Sequence, residues 1–352
     1  MNSPMSQPEH PETIRSSQES LPMRSHQAMG EGHEFDTIRM LMARWGDLAA
    51  DIGDDAAVLA PTDGQRVVST DACVEGVHFR RAWLSPFDVG VRAAAAALSD
   101  LAAMGARAEY VLVAFVVPED WRAALGAVAD GIGTQVRRAG ARIVGGNLSR
   151  GSAFGITLTV IGSAARPVPR SGAQVGDLIA VTGTLGGPGE ALTSWLQDTE
   201  PSAWALRRFV HPEPRFAEGM LLAEAGATAM LDISDGLAAD ARHIAAASGV
   251  RLVIDSALLP LGEGIRPEQA LASGEEYELL VTLPAAALDR LQRGWPERSG
   301  VPLTVIGRVE AELQGEREGV ERSSTGGHVG GHDHFGDGIV GVVEKGRPMG
   351  EL

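Results

Sequence analysis

The chain has 352 residues and an apolar content of 44%, which is enough for a sizeable core and, at this length, for two domains. Its formal net charge of −16 argues against a nucleic-acid backbone or an anionic membrane as partner, and no apolar run of about 18 residues marks a membrane span. The N-terminal stretch lacks the apolar segment of a secretory signal, and the lone cysteine, Cys73, excludes an internal disulfide, so we expect a reducing, cytoplasmic location.

Lys345 is the only lysine, and it lies near the C-terminus before Gly346. A P-loop needs Gly-Lys-Ser/Thr, and a protein kinase needs a strand lysine against the phosphates. Neither site is available here. If the chain handles a nucleotide, it must therefore use metal ions, arginines and backbone amides.

In the first half of the chain, residues 1–30 are predicted to be a disordered tail and residues 31–166 an N-terminal domain. Apolar spacing predicts a helix from about Phe35, and Ser85-Pro86 opens a second helix that runs to Gly105. A third helix is predicted from about Trp121 to Gly140. Predicted strands cover 56–59, 66–70, 110–117, 142–144 and 154–161, with Gly145-Gly146-Asn147 as a loop after the fourth.

The Pro/Gly-rich stretch 166–176 is the predicted boundary to a C-terminal α/β domain, residues 167–312. A strand at 178–182 leads into a glycine-rich turn at 183–189, and a helix from Arg215 to Gly226 precedes a strand at 228–233. Helices and strands alternate to about Val309, and 313–352 is a Gly/His-rich segment. The order of elements predicts an α/β (α+β) class with two domains.

Acidic motifs stand where predicted strands give way to loops or helices. A carboxylate flanked by buried apolar residues must be paired, hydrogen-bonded or bound to a cation, because burying an unpaired polar group costs roughly 2–7 kcal/mol. Together the motifs predict an oxygen-lined pocket for hard divalent cations. They are Gly53-Asp54-Asp55, Ser69-Thr70-Asp71, Leu98-Ser99-Asp100, Asp232-Ile233-Ser234-Asp235-Gly236 and Glu275-Glu276.

Each motif also has an ordinary structural explanation. Gly53-Asp54-Asp55 alone is more typical of a turn, and Asp71 or Asp235 could serve only as a helix cap. Asp100 could lie at the exposed rim of its helix. The two glycine loops, Arg170 and His78 are, taken singly, more typical of turns and of solvated or satisfied side chains. A zinc site at His328, His332 and His334 is not favoured, since no cysteine lies nearby.

Taken in order, the motifs resemble the thiamine-monophosphate kinases of the aminoimidazole ribonucleotide synthetase-like superfamily. The resemblance spans about residues 32–309, most of the chain. Besides the acidic motifs, it is carried by Gly32-His33-Glu34-Phe35, Gly76-Val77-His78-Phe79, Ser99-Asp100-Leu101-Ala102-Ala103-Met104-Gly105, Gly145-Gly146-Asn147, Arg170-Ser171-Gly172-Ala173, Val181-Thr182-Gly183 and Gly274-Glu275-Glu276-Tyr277-Glu278-Leu279.

The resemblance implies Mg²⁺-dependent, direct in-line transfer of the ATP γ-phosphate to thiamine monophosphate, with no covalent intermediate. It implies a two-domain aminoimidazole ribonucleotide synthetase-like fold, with an N-terminal mixed-sheet domain that dimerises and a C-terminal α/β domain. Several Mg²⁺ ions would be held by Asp55, Ser69, Thr70, Asp71, Asp100, Asn147, Asp232 and Asp235, of which Asp71, Asp100 and Asp235 would be catalytic. ATP would contact Gly146, Asn147, Arg170 and Ser234, and the thiamine end His78, Glu275 and His332.

Two positions depart from the family pattern. Asn147 stands where the family usually has Asp, and His332 where it tends to have an aromatic residue before Asp-His-Phe. Other functions also stay open. They are another synthetase of the superfamily, such as a selenophosphate or aminoimidazole ribonucleotide synthetase, a metal-dependent phosphohydrolase, or a non-catalytic Mg-nucleotide binding module.

Overall fold

The computed structural model describes residues 33–50, 52, 56–312 and 340–343. Within them the helices are α1 His33–Trp45, α2 Pro86–Ala103, α3 Leu125–Arg138, α4 Gly187–Leu196, α5 Ala203–Val210, α6 Phe216–Ala225, α7 Leu237–Ser248, α8 Pro267–Ala272 and α9 Ala285–Arg298. The strands are β1 Gln65–Val74, β2 Arg107–Val117, β3 Arg142–Arg150, β4 Gly155–Ala164, β5 Leu178–Thr182, β6 Ala229–Asp232, β7 Val250–Asp255, β8 Leu279–Leu283, β9 Leu303–Ala311 and β10 Val340–Val343.

The N-terminal part is a mixed sheet with strand order β1-β4-β2-β3, in which β2 and β3 run parallel and the other pairs antiparallel. Helices α2 and α3 cover one face of the sheet, and their apolar side chains join those of the strands in one core. Ser85 caps α2 by accepting the backbone N–H of Asp88, with Pro86 at the first helical position, as predicted.

Three local predictions in this part are wrong. Residues 56–59 form no strand, and β1 does not end at Thr70 but continues to Val74, so Asp71 lies inside a strand. Strand β3 runs through Gly145-Gly146-Asn147, where a loop was expected. At Gly146 a Cβ atom would lie only 1.9 Å from the carbonyl oxygen of Val113, so close packing of β3 on β2 requires this glycine.

The C-terminal part is a sheet with strand order β10-β7-β9-β5-β8-β6, covered on both faces. Helices α6 and α9 pack on one face, against residues such as Met230 and Val281. Helix α7 packs on the other, against Leu231 and Leu280. Strand β8, between β5 and β6, is buried along its whole length, which explains its continuous apolar run. The predicted two-part α/β architecture is thus confirmed.

Helices α4 and α5, which were not predicted from the sequence, connect the two parts. They follow β5 of the second sheet, yet Ala191, Ala205, Phe209 and Val210 belong to the N-terminal core. The chain therefore crosses the predicted boundary at 166/167 and then returns to cover the first domain. None of the helices in the described ranges has the length and apolarity of a membrane span.

A carboxylate cluster at the domain junction

Strand β1 and helix α2 bring the first two aspartates together. Side chains alternate along a strand, so Ser69 and Asp71 share the face of β1 that turns towards α2. The hydroxyl of Ser69 donates a hydrogen bond to the Asp100 carboxylate over 2.5 Å. Asp71 accepts the backbone N–H of Ala72 over 2.7 Å. Both carboxylates are half-buried, so neither is an ordinary surface charge.

Asp232 adds the C-terminal part of the chain to this group. It is the last residue of β6, it is buried, and its Oδ2 accepts a 2.6 Å hydrogen bond from the hydroxyl of Ser99 on α2. The Ser99-Asp100 pair of one helix therefore touches both sides of the junction, because Ser99 binds Asp232 while Asp100 binds Ser69. We call Asp71, Asp100 and Asp232 the carboxylate cluster.

The electrostatics of the cluster disfavour negative charge. Burial raises the pKa of Asp71, and the neighbouring Asp100 and Glu275 raise it further. Burial likewise raises the pKa of Asp100. Burial and the charge of Asp100 raise the pKa of Asp232 to about 7. None of the ion pairs formed among the described residues includes a cluster aspartate. Carboxylates that repel one another and lack a bonded cationic side chain are suited to binding added cations.

Asp240, at the start of α7, shapes the loop that carries Ser234 and Asp235. One of its oxygens, Oδ2, accepts the backbone N–H groups of Ser234, Asp235 and Gly236 over 3.0, 3.0 and 3.1 Å. Asp235 itself is exposed. Asp235, Asp240 and His243 also lie close enough for one ligand atom of each to fall within 4.8 Å of the others. Because Asp240 is committed to three N–H groups, its evident role is to fix the loop.

The segment from Gly274 to Glu278 closes the junction from the other side. Glu275 donates its backbone N–H to Ser234 over 2.7 Å, and Tyr277 donates its own to Ile233 over 2.9 Å. Glu275 and Tyr277 adopt left-handed backbone angles, with φ of 60° and 51°. Such strain in residues other than glycine is concentrated at functional sites. A Cβ on Gly274 would lie 2.7 Å from the carbonyl oxygen of Ser234, so glycine is needed there.

His78 follows the end of β1 and is exposed. Its Nδ1 accepts the backbone N–H of Val74 over 3.1 Å. An accepting Nδ1 leaves the ring proton on Nε2, which can donate a hydrogen bond to a ligand. His78 also lies close to Asp71.

Three further predicted site residues, Thr70, Asn147 and Arg170, make no hydrogen bond to the carboxylate cluster among the described residues. Thr70 projects to the opposite face of β1, where its hydroxyl contacts Thr159 over 3.2 Å, so the hydroxyl is not part of the cluster. Asn147 is exposed on β3 and donates to the Ser149 hydroxyl over 2.9 Å. Arg170 is exposed, but its charge acts on Asp100 and Asp232. Asp55 and His332 lie outside the described residues.

Sequence reasoning did not identify Arg92 or Asp240. Arg92 stands in an otherwise apolar stretch of α2, and a buried charge in such a stretch is a signal of a specific partner. Asp240 occupies the first turn of α7, where an acidic side chain can accept the free N–H groups of the preceding loop. Both signals were present in the sequence.

Comparisons with known proteins agree with this architecture. The family model described as AIR synthase related protein, N-terminal domain, matches residues 53–164, and the corresponding C-terminal domain model matches residues 174–318. A thiamine-monophosphate kinase of Mycobacterium tuberculosis is 42% identical over 227 residues, which cover 64% of this chain and 68% of the relative.

Two solved structures are similar over a larger share. The crystal structure of thiamine-monophosphate kinase from Stenotrophomonas maltophilia K279a superposes with a TM-score of 0.69 and 33% identity, covering 87% of this chain and 94% of that one. A structure named "AaThiL complexed with AMPPCP and TMP" superposes with a TM-score of 0.64 and 32% identity, covering 79% and 91%.

Proposed function

The chain belongs to the AIR synthase related family and, within it, to the thiamine-monophosphate kinases, and from this membership we infer that it transfers the γ-phosphate of ATP to thiamine monophosphate. The products are thiamine diphosphate and ADP. The observation that carries this inference is the carboxylate cluster at the domain junction of a chain with one lysine. It supports a phosphotransferase that neutralises phosphate charge without a lysine-based site. A relative of the same fold is named as a complex with AMPPCP, an ATP analogue, and TMP.

The donor set fits several Mg²⁺ ions. Asp71, Asp100 and Asp232 supply carboxylate oxygens, and Ser69 supplies a hydroxyl, which are the ligand types that Mg²⁺ prefers. Their raised pKa values indicate that the cluster disfavours its own negative charge, a penalty that a bound cation removes. Asp235, on the neighbouring loop, would complete the set. When bound, Mg²⁺ would neutralise charge on the transferring phosphoryl group.

The proposed reaction is a direct in-line displacement. An oxygen of the thiamine monophosphate phosphate attacks the γ-phosphorus of ATP, the new P–O bond forms, and the bond to the β–γ bridging oxygen breaks, so ADP leaves with that electron pair. The acceptor is already an anion, so no strong general base is required. The protein contributes positioning and charge neutralisation. Ser234 and Arg170 would orient ATP, while His78 and Glu275 would hold the thiamine end.

We also propose a homodimer formed through the open face of the N-terminal sheet. Val68 on β1 is 60% exposed and Val116 on β2 is 42% exposed, and both lie on strands whose alternate side chains face the core. Apolar side chains on the uncovered face of a sheet are typical of a protein interface. A cytoplasmic location is consistent with the single cysteine.

The activity is tested by incubating the full chain with Mg²⁺, ATP and thiamine monophosphate and separating the products by chromatography. We expect thiamine diphosphate and ADP in equal amounts. ATP loss without thiamine diphosphate would instead favour a phosphohydrolase or another transferase of the family. Omitting Mg²⁺ in the presence of a chelator should abolish product formation.

A further inference from the structure

Arg92 is a buried cation in the middle of helix α2. Its side chain is 3% exposed, and the helix positions around it are alanine, valine and glycine. Burial is the largest influence on the pKa of Arg92 and lowers it, but the charge of Glu275, the hydrogen bond to Glu275 and the charges of Tyr277 and Cys73 together outweigh burial and raise the pKa. Buried arginines are rare unless they are paired, so the partners of this side chain indicate what it does.

The guanidinium of Arg92 is fixed on three sides, and all three contacts cross to the C-terminal half of the chain. Nη1 donates a 2.5 Å hydrogen bond to the backbone carbonyl of Phe209. The guanidinium carbon lies 3.7 Å from the centre of the Phe209 ring, in a cation–π arrangement. Nη2 forms an ion pair with Oε2 of Glu275. The planar fork therefore has one available orientation.

The ion pair determines where the Glu275 carboxylate lies. The Glu275 side chain is 32% exposed while its Oε2 pairs with Arg92, and its charge acts on Asp71 of the carboxylate cluster. Its backbone is held in a left-handed conformation beside the Ser234 loop. Without Arg92 this carboxylate would be free to rotate into solvent, because nothing else among the described residues forms an ion pair with it.

We propose that Arg92 is a positioning residue that fixes Glu275 to receive the thiamine end of the substrate, and this role rests on the proposed function. Thiamine monophosphate carries a cationic thiazolium and an aminopyrimidine whose N–H groups need an acceptor. A carboxylate with one oxygen held by Arg92 offers its other oxygen in a fixed direction. The arginine thus acts through Glu275 on substrate selection and does not touch the transferring phosphate.

A purely structural role makes a different prediction. If Arg92 only fastens the two halves together, its loss should lower stability and impair ATP and thiamine monophosphate alike. If Arg92 positions Glu275, its substitution should raise mainly the KM for thiamine monophosphate. This rise should be absent when Glu275 has already been replaced.

The test is steady-state kinetics of the full-length protein with each substrate varied in turn, for wild type, Arg92→Met, Arg92→Lys, Glu275→Gln and the Arg92→Met/Glu275→Gln double variant. Arg92→Met should raise the KM for thiamine monophosphate on the order of tenfold or more, because a buried charge partner is removed, while the KM for ATP stays within about twofold. Arg92→Lys should recover part of the loss, since it keeps the charge but not the fork. The double variant should be no worse than Glu275→Gln.

Arg298→Met is the matched control. It removes an arginine from an exposed ion pair with Glu224 and leaves the contacts of Arg92 intact, so the KM for thiamine monophosphate should stay within about twofold of wild type. Equal effects of Arg92→Met on both substrates, or additive effects in the double variant, would overturn the positioning role. Absence of thiamine diphosphate with the wild-type protein would instead refute the proposed function.

Discussion

Glu278 and the carboxylate cluster have opposite kinds of hydrogen-bond partner. Glu278, at the edge of β8, is fully buried and receives hydrogen bonds from Arg208, Arg215 and Thr182 at 2.7–2.8 Å. The carboxylate cluster of Asp71, Asp100 and Asp232 receives serine hydroxyls and one backbone N–H instead. Both lie near the domain junction, yet only Glu278 accepts hydrogen bonds from arginine side chains.

The contrast separates structural acids from functional ones. A buried carboxylate with two arginines is balanced within the protein, and removing either partner would leave an uncompensated charge. The cluster aspartates have raised pKa values, so the protein keeps them at a cost in stability. Ionisable side chains that lower the stability of the folded protein are typical of sites that bind a ligand.

The largest expected effect is on catalysis. Asp71→Asn or Asp235→Asn should lower kcat by about a thousandfold or more. Each substitution removes a carboxylate that would hold Mg²⁺, and Mg²⁺ would neutralise charge on the transferring phosphoryl group. Asp71→Asn should leave the stability of the metal-free protein unchanged or higher, since burial already disfavours the charge of Asp71. Turnover assays and urea denaturation measure the two. Near-wild-type activity in both variants would refute the metal cluster.

The opposite pattern is expected on the other side of the comparison. Glu278→Gln should destabilise the protein by about 3–5 kcal/mol, because it removes the carboxylate that hydrogen-bonds the buried Arg215 and the half-buried Arg208. Urea denaturation gives the loss directly. Glu224→Gln is a matched control, since its ion pair with Arg298 is exposed and should contribute less than about 1 kcal/mol. Similar losses for the two variants would mean that burial does not distinguish them.

The pH dependence of stability should also differ. For the cluster aspartates the folded-state pKa lies above the unfolded value, so the folded protein binds protons more tightly. Their contribution is therefore fully present below the unfolded pKa of about 4 and is lost as the pH rises through the folded pKa. For Asp232 that value is about 7.

The unfolding free energy of wild type, relative to Asp232→Asn, should consequently fall between about pH 4 and pH 7, by about 1.4 kcal/mol for each unit of pKa shift. Saturating Mg²⁺ should reduce the fall, because a bound cation favours the ionised carboxylate. A relative stability that rises with pH in the absence of metal would contradict the raised pKa of Asp232.

The sequence predicted the fold wherever local signals and packing agree. Ser85-Pro86 defined the start of α2, and the apolar run of β2 ended before Pro118 as expected. Local signals failed where long-range pairing decides. Gly145-Gly146-Asn147 has the composition of a turn, but β3 pairs through it with β2 because Gly146 permits close approach. Helices α4 and α5 were missed although local signals were present, since Ser202 caps α5 and Pro188 lies in the first turn of α4. Their packing against both halves of the chain follows only from the tertiary structure.

For the site, the sequence indicated which aspartates matter but not which residues place them. The chemistry of Asp71, Asp100 and Asp232 follows from residue type and apolar flanks. Their connection through Ser69 and Ser99 needs the tertiary contact of α2 with β1 and β6. The sequence also did not show that Thr70 faces away from Ser69 and Asp71. The strand was predicted to end at Thr70, so the alternation of side chains between the two faces of β1 was not applied to these three residues.

Ser69 and Thr70 therefore give the finest test of the comparison, since they are adjacent hydroxyl residues on opposite faces of one strand. Ser69→Ala removes the hydroxyl that donates to Asp100, so kcat should fall by about tenfold, in line with the loss of a hydrogen bond to a charged group. Thr70→Val removes a hydroxyl that contacts Thr159 on the uncovered face, and kcat should change by less than about twofold. Measuring both under saturating ATP and thiamine monophosphate isolates the effect on turnover. A larger fall in kcat for Thr70→Val than for Ser69→Ala would show that the catalytic groups lie on the uncovered face of β1 and not on the face towards α2.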